Sequence, residues 1–254
     1  MQCVDHEGRY SVLIDASDIG TGAWTVLTQI AADALEVPLE RVHIEIGDTA
    51  LPRARIAGGS MGTASWGSAI VEAARRLRAR LHDEYNGVVP AEGLEATGEV
   101  GDNLEAQRFA MHAFGAQFAE VRINIDTGEV RVPRLLGVFA AGRIMNAKTG
   151  RSQFLGGMTM GLSMALHEES VLDSRFGDYV NHDFAEYHIA TNADVGKIDV
   201  SWIDEDDPHV NPMGAKGIGE VGIVGTAAAI ANAVYHATGI RVRDLPITLD
   251  KLLQ

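Results

Sequence analysis

Three glycine-rich segments, each running into a predicted helix, limit more than any other feature how this sequence can fold. They comprise residues 20–22, 58–62 and 214–222. Clustered glycines mark tight turns or backbone that lies close to another group. A helix N-terminus leaves backbone N–H groups unpaired and favours anionic groups. One such segment would be an ordinary turn, but three together predict loops around a large, phosphate- or oxygen-rich ligand. The chain has no GxxxxGK[ST] motif and no GxGxxG placed directly after a predicted strand.

The composition excludes several classes of site and partner. With 254 residues, 46% of them apolar, the chain can build one large domain or two compact lobes. The net charge of −14 argues against nucleic-acid binding as the main role. A single cysteine, Cys3, excludes an intramolecular disulfide, a thiolate-held iron–sulfur cluster and a multi-cysteine zinc site. Histidine spacing does not favour a zinc site either.

The sequence contains neither a run of 18 uncharged apolar residues nor a recognisable secretion signal at its start. We therefore expect no membrane partner and a cytoplasmic location. The alternative is the periplasm, reached if a partner subunit carries the chain across the membrane.

Hydrophobic periodicity predicts an α+β fold in two lobes. The predicted strands cover residues 10–15, 42–46, 119–125, 129–138 and 198–202, with a hairpin turn at Asp126-Thr127-Gly128. Four helices are predicted: one directly after Gly22, one directly after Gly62, and two more at residues 149–168 and 221–237. The last of them is poor in charge and is expected to be buried. Residues 86–110 have no clear period. We therefore predict a first α/β lobe at 1–85, a linker at 86–110 and a second α/β lobe at 111–254.

Glycines inside the helix predicted at 149–168 indicate a close neighbour. Gly156, Gly157 and Gly161 should each destabilise a helix by roughly 1 kcal/mol relative to alanine. We infer that another part of the chain packs against this helix backbone.

Glu220 allows two interpretations. It could be a water-exposed glutamate in a helix first turn, favoured by the helix dipole. Its apolar neighbours Ile218, Val221, Ile223 and Val224 instead predict a partly desolvated carboxylate suited to act as a general base. Lys216 is interpreted as a structural or a cofactor-facing cation.

Several separated motifs, in order, resemble one enzyme family. NPMGAKGIGE (211–220) and the following GTAAAIANAVYHATGIRVRDLPIT resemble the C-terminal end of molybdenum hydroxylase large subunits, the xanthine dehydrogenase/aldehyde oxidase family, in its bacterial aldehyde oxidoreductase branch. The resemblance also includes DIGTG (18–22), GDT (47–49), GGSMG (58–62), FGAQFAEVRINIDTGEVRV (114–132) and GRIMNAKTGRSQFLGGM (142–158). It covers residues 9–253.

The resemblance implies a molybdopterin-binding domain and assigns residues to it. The cofactor would be a molybdenum-bearing molybdopterin, in bacteria usually the cytosine dinucleotide form, with the metal held through the pterin and not by side chains. Glu220 matches the family's general base in the oxidation of aldehydes or N-heterocycles with oxygen derived from water. The residues that match the cofactor-binding loops are Ile19, Gly20, Thr21, Gly22, Gly58, Gly59, Ser60, Met61, Gly62, Gln153, Lys216, Gly217, Ile218 and Gly219.

The sequence resembles only the C-terminal part of such a subunit, so the resemblance also implies partners. They are the N-terminal half of the large subunit, an iron–sulfur subunit with [2Fe–2S] clusters and a subunit with FAD. Two alternatives remain open. One is a non-catalytic cofactor-binding or assembly module, or a truncated fragment inactive without the missing lobe. The other is a domain whose glycines serve packing alone.

Overall fold

The computed structural model describes residues 2–4 and 7–253. They form two compact units that differ from the predicted lobes. Unit 1 consists of Met1–Ala113, Ala141–Gly150 and Asp204–Gly217, and unit 2 consists of Phe114–Ala140, Arg151–Ile203 and Ile218–Gln254. The predicted division into 1–85, 86–110 and 111–254 followed the order of the chain, whereas the chain returns to unit 1 twice.

Unit 1 is a four-stranded sheet with two long helices. In the sheet order β3-β2-β1-β4, β2 is parallel to β3, and β1 is antiparallel to both β2 and β4. The strands are β1 (Gln2–Val4), β2 (Tyr10–Leu13), β3 (Val42–Glu45) and β4 (Leu94–Ala96), and the helices are α1 (Ala23–Leu35) and α2 (Gly62–Tyr85), with short 3₁₀ helices at Leu39–Arg41 and Leu104–Gln107.

Apolar side chains of α1 and α2 account for the core of unit 1. Leu27, Ile30, Trp66 and Ile70 are buried, as is Val12 on β2. The region predicted as a linker contributes to the same unit. Its residues 94–96 form β4 and pair with β1, and Asn103 donates side-chain hydrogen bonds to the carbonyls of residues 209 and 210. Strand pairing thus places this segment inside a folded unit.

Unit 2 contains a three-stranded sheet in the order β5-β6-β9, in which β5 is antiparallel and β9 is parallel to β6. The strands of this sheet are β5 (Phe114–Ile123), β6 (Val130–Ala140) and β9 (Lys197–Trp202), and a separate two-stranded sheet consists of β7 (Leu172–Asp173) and β8 (Asp178–Tyr179). The helices are α3 (Ala147–Leu166, of which the part from Arg151 belongs to unit 2), α4 (Val221–Val224) and α5 (Thr226–Thr238), with a 3₁₀ helix at Leu249–Lys251.

The helical periodicity of α3 is confirmed. Its four predicted core residues, Phe154, Met158, Leu162 and Ala165, are all 0% exposed. Phe154 stacks on Phe139 of β6, with ring centroids 4.4 Å apart. Together with the mixed sheets, these helices confirm the predicted α+β fold.

The helix predicted at residues 221–237 differs from expectation in two respects. It is interrupted at Gly225 and forms α4 and α5. The expectation that it is buried was wrong. α5 packs against β5 through one face, but Val224 of α4 is 73% exposed and Tyr235 of α5 is 42% exposed. By length and composition alone, Val221–Thr238 could cross a membrane, with a mean hydropathy of 1.2. Core helices of soluble proteins meet the same criteria, so this one segment is weak evidence for a span.

Candidate functional site

The first glycine loop, Ile19 to Gly22, is organised by the carboxylate of the residue directly before it. Asp18 Oδ1 accepts hydrogen bonds from the N–H groups of Gly20 (2.9 Å) and Gly22 (3.1 Å), and Oδ2 accepts one from Trp24 (3.3 Å). Partial burial acts to raise the pKa of Asp18, but these backbone donors outweigh it, and the pKa lies below its usual value.

Asp18 therefore already supplies the anion expected at the N-terminus of α1. In this conformation a ligand would meet other groups of the loop. Ile19, whose side chain is 70% exposed, and Thr21 are such groups.

The second glycine loop, Gly58 to Gly62, leads into α2 without such a carboxylate. Its N-cap residue, Met61, makes no side-chain capping hydrogen bond. Gly59 and Ser60 have positive φ angles of 59° and 57°, so the backbone turns sharply just before the helix. This helix N-terminus suits an anionic group such as a pyrophosphate.

The third glycine segment meets the second at Gly217. A Cβ atom on Gly217 would lie 2.5 Å from the backbone oxygen of Ser60 and 2.8 Å from its Cβ. Only glycine allows this approach without displacing the Ser60 loop. Within unit 1, the second and third glycine segments are thus in contact at Ser60 and Gly217.

The side chain of Lys216 is bound by two carboxylates of unit 1. Its Nζ lies 2.6 Å from Glu205 Oε1 and 3.0 Å from Asp207 Oδ2, and the lysine side chain is 5% exposed. Glu205 also accepts a hydrogen bond from the backbone N–H of Gly142 at 2.7 Å. Of the two roles predicted for Lys216, these contacts favour the structural one. A cofactor contact by this residue would come from its backbone.

The lysine and the two acids, here called the Lys216 triad (Lys216, Glu205 and Asp207), stabilise each other's charged forms. Hydrogen bonds from Lys216 lower the pKa values of both Glu205 and Asp207. Burial acts to lower the pKa of Lys216, but its bonds to the two carboxylates outweigh this, and the pKa is raised. The triad therefore holds three charges at neutral pH and fixes residue 216 next to residue 205.

Glu220 lies in unit 2 at the N-cap position of α4. Its side chain makes no capping hydrogen bond, and the residue is exposed. The expectation of a partly desolvated carboxylate is therefore wrong for this chain by itself. The exposure at the start of a helix agrees with the alternative interpretation, although the carboxylate makes no capping hydrogen bond. The chain presents Glu220 on its surface at the start of a short helix.

Close packing of glycine on glycine holds α4 against α3. A Cβ on Gly157 would lie 2.9 Å from the Cα of Gly222, and one on Gly161 would lie 2.5 Å from Thr226 Cβ. The prediction of a close neighbour is confirmed at these two positions. Around Gly156, by contrast, a Cβ would meet nothing within 4 Å.

The neighbouring glycines 156 and 157 should respond to alanine in opposite directions. Gly157→Ala is expected to lower the free energy of unfolding by about 1–3 kcal/mol, since the new methyl group would overlap backbone. Gly156→Ala should raise it by about 0.5–1 kcal/mol, because alanine is the better helix former. Urea unfolding of the two variants checks this. Equal effects would contradict the packing described.

The remaining predicted residues belong to unit 2. Gln153 lies half-buried on α3, Ile218 is half-buried and Gly219 is exposed. Among residues 2–4 and 7–253, no group of three or more His, Cys, Asp or Glu side chains is placed to hold a metal ion.

Four residues that organise these loops and turns were not predicted from the sequence. Asp18 appeared only as part of a motif, although an acid two residues before a glycine turn is a recognisable capping signal. The pairing of Glu205 and Asp207 with Lys216 joins residues nine or more positions apart and carries no local signal. No local sequence signal indicates that Gln117, a polar residue of β5, contacts residues 221–226.

Comparison with known proteins identifies the domain. The model of the molybdopterin cofactor-binding domain family matches residues 3–101 and 84–196. The chain belongs to this family. This molybdopterin cofactor-binding domain is 43% identical in sequence to the aldehyde oxidoreductase molybdenum-binding subunit PaoC of Escherichia coli K12. The alignment covers 98% of this chain and 37% of PaoC. It is 30% identical to the probable hypoxanthine oxidase XdhD of the same organism, over 98% of this chain and 29% of that protein.

Solved structures support the same assignment. The crystal structure of the aldehyde oxidoreductase from Desulfovibrio desulfuricans superposes with a TM-score of 0.87 at 25% identity, covering 99% of this chain and 29% of the other. The molybdopterin cofactor-binding domain described here therefore spans about a third of the length of its relatives.

Proposed function

We propose that this chain is the C-terminal molybdopterin-binding portion of a molybdenum hydroxylase that oxidises aldehydes or N-heterocycles. The observation that carries the proposal is the 43% identity to a molybdenum-binding aldehyde oxidoreductase subunit along 98% of the chain. The ordered motifs from Asp18 to Glu220 lie within that alignment.

Unit 1 would bind the anionic part of the cofactor. The residues fit such a group, because Met61 at the N-cap of α2 makes no side-chain capping hydrogen bond and Gly217 lies against Ser60 with no room for a side chain. Backbone N–H groups at this place suit a pyrophosphate, which agrees with the cytosine dinucleotide form. The Lys216 triad would hold the loop that carries Gly217.

Unit 2 would supply the proton acceptor. When bound, the cofactor provides the redox chemistry at molybdenum. Glu220 would take up a proton during oxygen transfer, since a carboxylate is a suitable proton acceptor and this one lies exposed at the start of α4. The packing of α4 on Gly157 would keep the backbone of Glu220 in place.

Further subunits would complete the enzyme. The chain spans 37% of PaoC, so an N-terminal part of the large subunit would supply the rest of the substrate pocket. A single cysteine cannot hold a [2Fe–2S] cluster, so such clusters and FAD would lie on partner subunits that carry electrons away. We place the assembly in the cytoplasm.

Cofactor analysis of the assembled protein tests this proposal. We expect stoichiometric molybdenum and, after acid release, an equal amount of cytosine nucleotide. Gly217→Ala should lower both, because its methyl group would overlap the Ser60 backbone. Gly101→Ala is the matched control, since a Cβ there meets nothing within 4 Å.

Three outcomes would change the proposal. An assembled protein without molybdenum or nucleotide would refute it. Cofactor that stays bound equally well in both variants would remove Gly217 from the binding loop. Bound cofactor without oxidation of any aldehyde or heterocycle would indicate a non-catalytic binding or assembly module.

A further inference from the structure

The helix that starts at Glu220 is too short to hold its own position. α4 has four residues, Val221–Val224, and ends at Gly225. Helix nucleation is unfavourable, and the last carbonyl groups of any helix lack partners within it. The position of the Glu220 backbone therefore depends on contacts outside α4.

Gln117, in the middle of β5, contacts this turn through its side-chain amide. Its Nε2 donates hydrogen bonds to the carbonyls of Val221 (3.2 Å) and Gly222 (3.0 Å). Because carbonyl oxygens only accept, the NH₂ group must face α4, and this orients Oε1 towards Thr226.

Thr226 completes the arrangement from the start of α5. Its side chain is 0% exposed, and its hydroxyl lies in hydrogen-bonding contact with Gln117 Oε1 and 2.9 Å from the carbonyl oxygen of Gly222. Gly225 leaves space for the amide, as a Cβ there would lie 3.2 Å from Gln117 Cδ. The amide of Gln117 is thus enclosed by the turn from Val221 to Thr226.

We propose that Gln117, together with Thr226, is a positioning residue for Glu220. The pair ties the short helix to β5 and so fixes the backbone from which the Glu220 carboxylate projects. Part of this inference rests on the proposed function, namely that Glu220 is the general base. The structural part, that the pair holds the turn, does not.

Amide hydrogen exchange tests the structural part. Gln117→Leu and Thr226→Val remove the hydrogen bonds at similar side-chain volume. In the assembled protein, both should increase exchange of the amides of residues 222–226 roughly tenfold. Thr226→Ser keeps the hydroxyl and should retain the protection. Gln107→Leu, the same change at an exposed site, is the control. Unchanged exchange in Gln117→Leu and Thr226→Val would overturn the proposal.

Kinetics of the same variants test the link to Glu220. Gln117→Leu should lower kcat roughly 10- to 100-fold, with KM and molybdenum content unchanged, because a misplaced base reacts slowly. In a Glu220→Gln background, the same substitution should have no further effect on kcat.

The two proposals can fail separately. If Glu220→Gln slows the enzyme but Gln117→Leu adds a full independent loss, positioning is refuted and the proposed function stands. If Glu220→Gln retains normal turnover, the general-base role is refuted, and the exchange data still decide whether Gln117 holds the turn.

Discussion

Replacing Glu220 with glutamine is expected to slow turnover of the assembled enzyme by roughly 100- to 10,000-fold, the range that a positioned general base contributes. Glutamine has almost the same shape, but its amide does not accept the proton. Because Glu220 is exposed and does not cap α4, the free energy of unfolding should change by less than about 0.5 kcal/mol. Measuring kcat on aldehydes and N-heterocycles, with preparations of equal molybdenum content, checks this.

The matched control is Glu40→Gln, the same chemical change at an exposed glutamate of unit 1. Its kcat should equal that of the unsubstituted enzyme. A Glu220→Gln enzyme with normal turnover would contradict the assignment of the base. If turnover fell only in proportion to lost molybdenum, Glu220 would instead be acting in cofactor retention.

Replacing Lys216 with methionine is expected to destabilise the protein at pH 7 by on the order of 3 kcal/mol. The substitution keeps a long apolar side chain but removes the cation that Glu205 and Asp207 share. Their side chains are only 27% and 15% exposed, respectively. Removing one partner of a buried ion pair typically has an effect of this size. Urea unfolding followed by tryptophan fluorescence measures it, since Trp66 lies in the core of unit 1.

The effect of Lys216→Met should depend on pH in a defined direction. The pKa values of Glu205 and Asp207 are lowered, so their stabilising contribution is complete above about pH 4 and is lost as the pH falls through their folded pKa values. The pKa of Lys216 is raised, so its contribution is complete below about pH 10 and is lost as the pH rises through its folded value. The difference between the two proteins should therefore shrink below pH 4.

Lys197→Met provides the control for this prediction. Lys197 also pairs with an aspartate, Asp199, at 3.1 Å, but its side chain is 69% exposed. Its replacement should change the free energy of unfolding by less than about 1 kcal/mol. Equal losses in the two variants, or a Lys216→Met effect that grows at acidic pH, would contradict the description of the triad.

Elements with a strong local period could be predicted from the sequence. The apolar stripe of α3 and the hairpin around Asp126-Thr127-Gly128 lie close to the predicted positions, because side-chain periodicity follows directly from burial of one face. The close approach of other backbone and side-chain atoms to Gly157 and Gly161 could also be predicted, because glycine inside a helix is unfavourable and its presence indicates a neighbour that leaves no room for a side chain.

Features set by distant contacts could not be predicted. The assignment of residues 94–96 to a sheet depends on β1, some ninety residues earlier. The contacts of Gln117 with the turn that precedes Gly225 join residues about a hundred positions apart. The exposure of Glu220 was misjudged because its apolar neighbours in sequence are themselves only half-buried or, at Val224, exposed. The glycine motifs indicated where loops lie, and they did not reveal that Asp18 already occupies the donors of the first loop.

The division of unit 1 into three stretches of chain affects when this unit can fold during synthesis. Its final stretch, Asp204–Gly217, includes both acids and the lysine of the triad. The ribosome therefore adds about ninety residues between Ala113, where the first stretch ends, and Asp204, where the last stretch begins. Until the last stretch is synthesised, Trp66 and its neighbours lack Met213 and Ala215 as core partners, so unit 1 keeps apolar surface exposed for that interval.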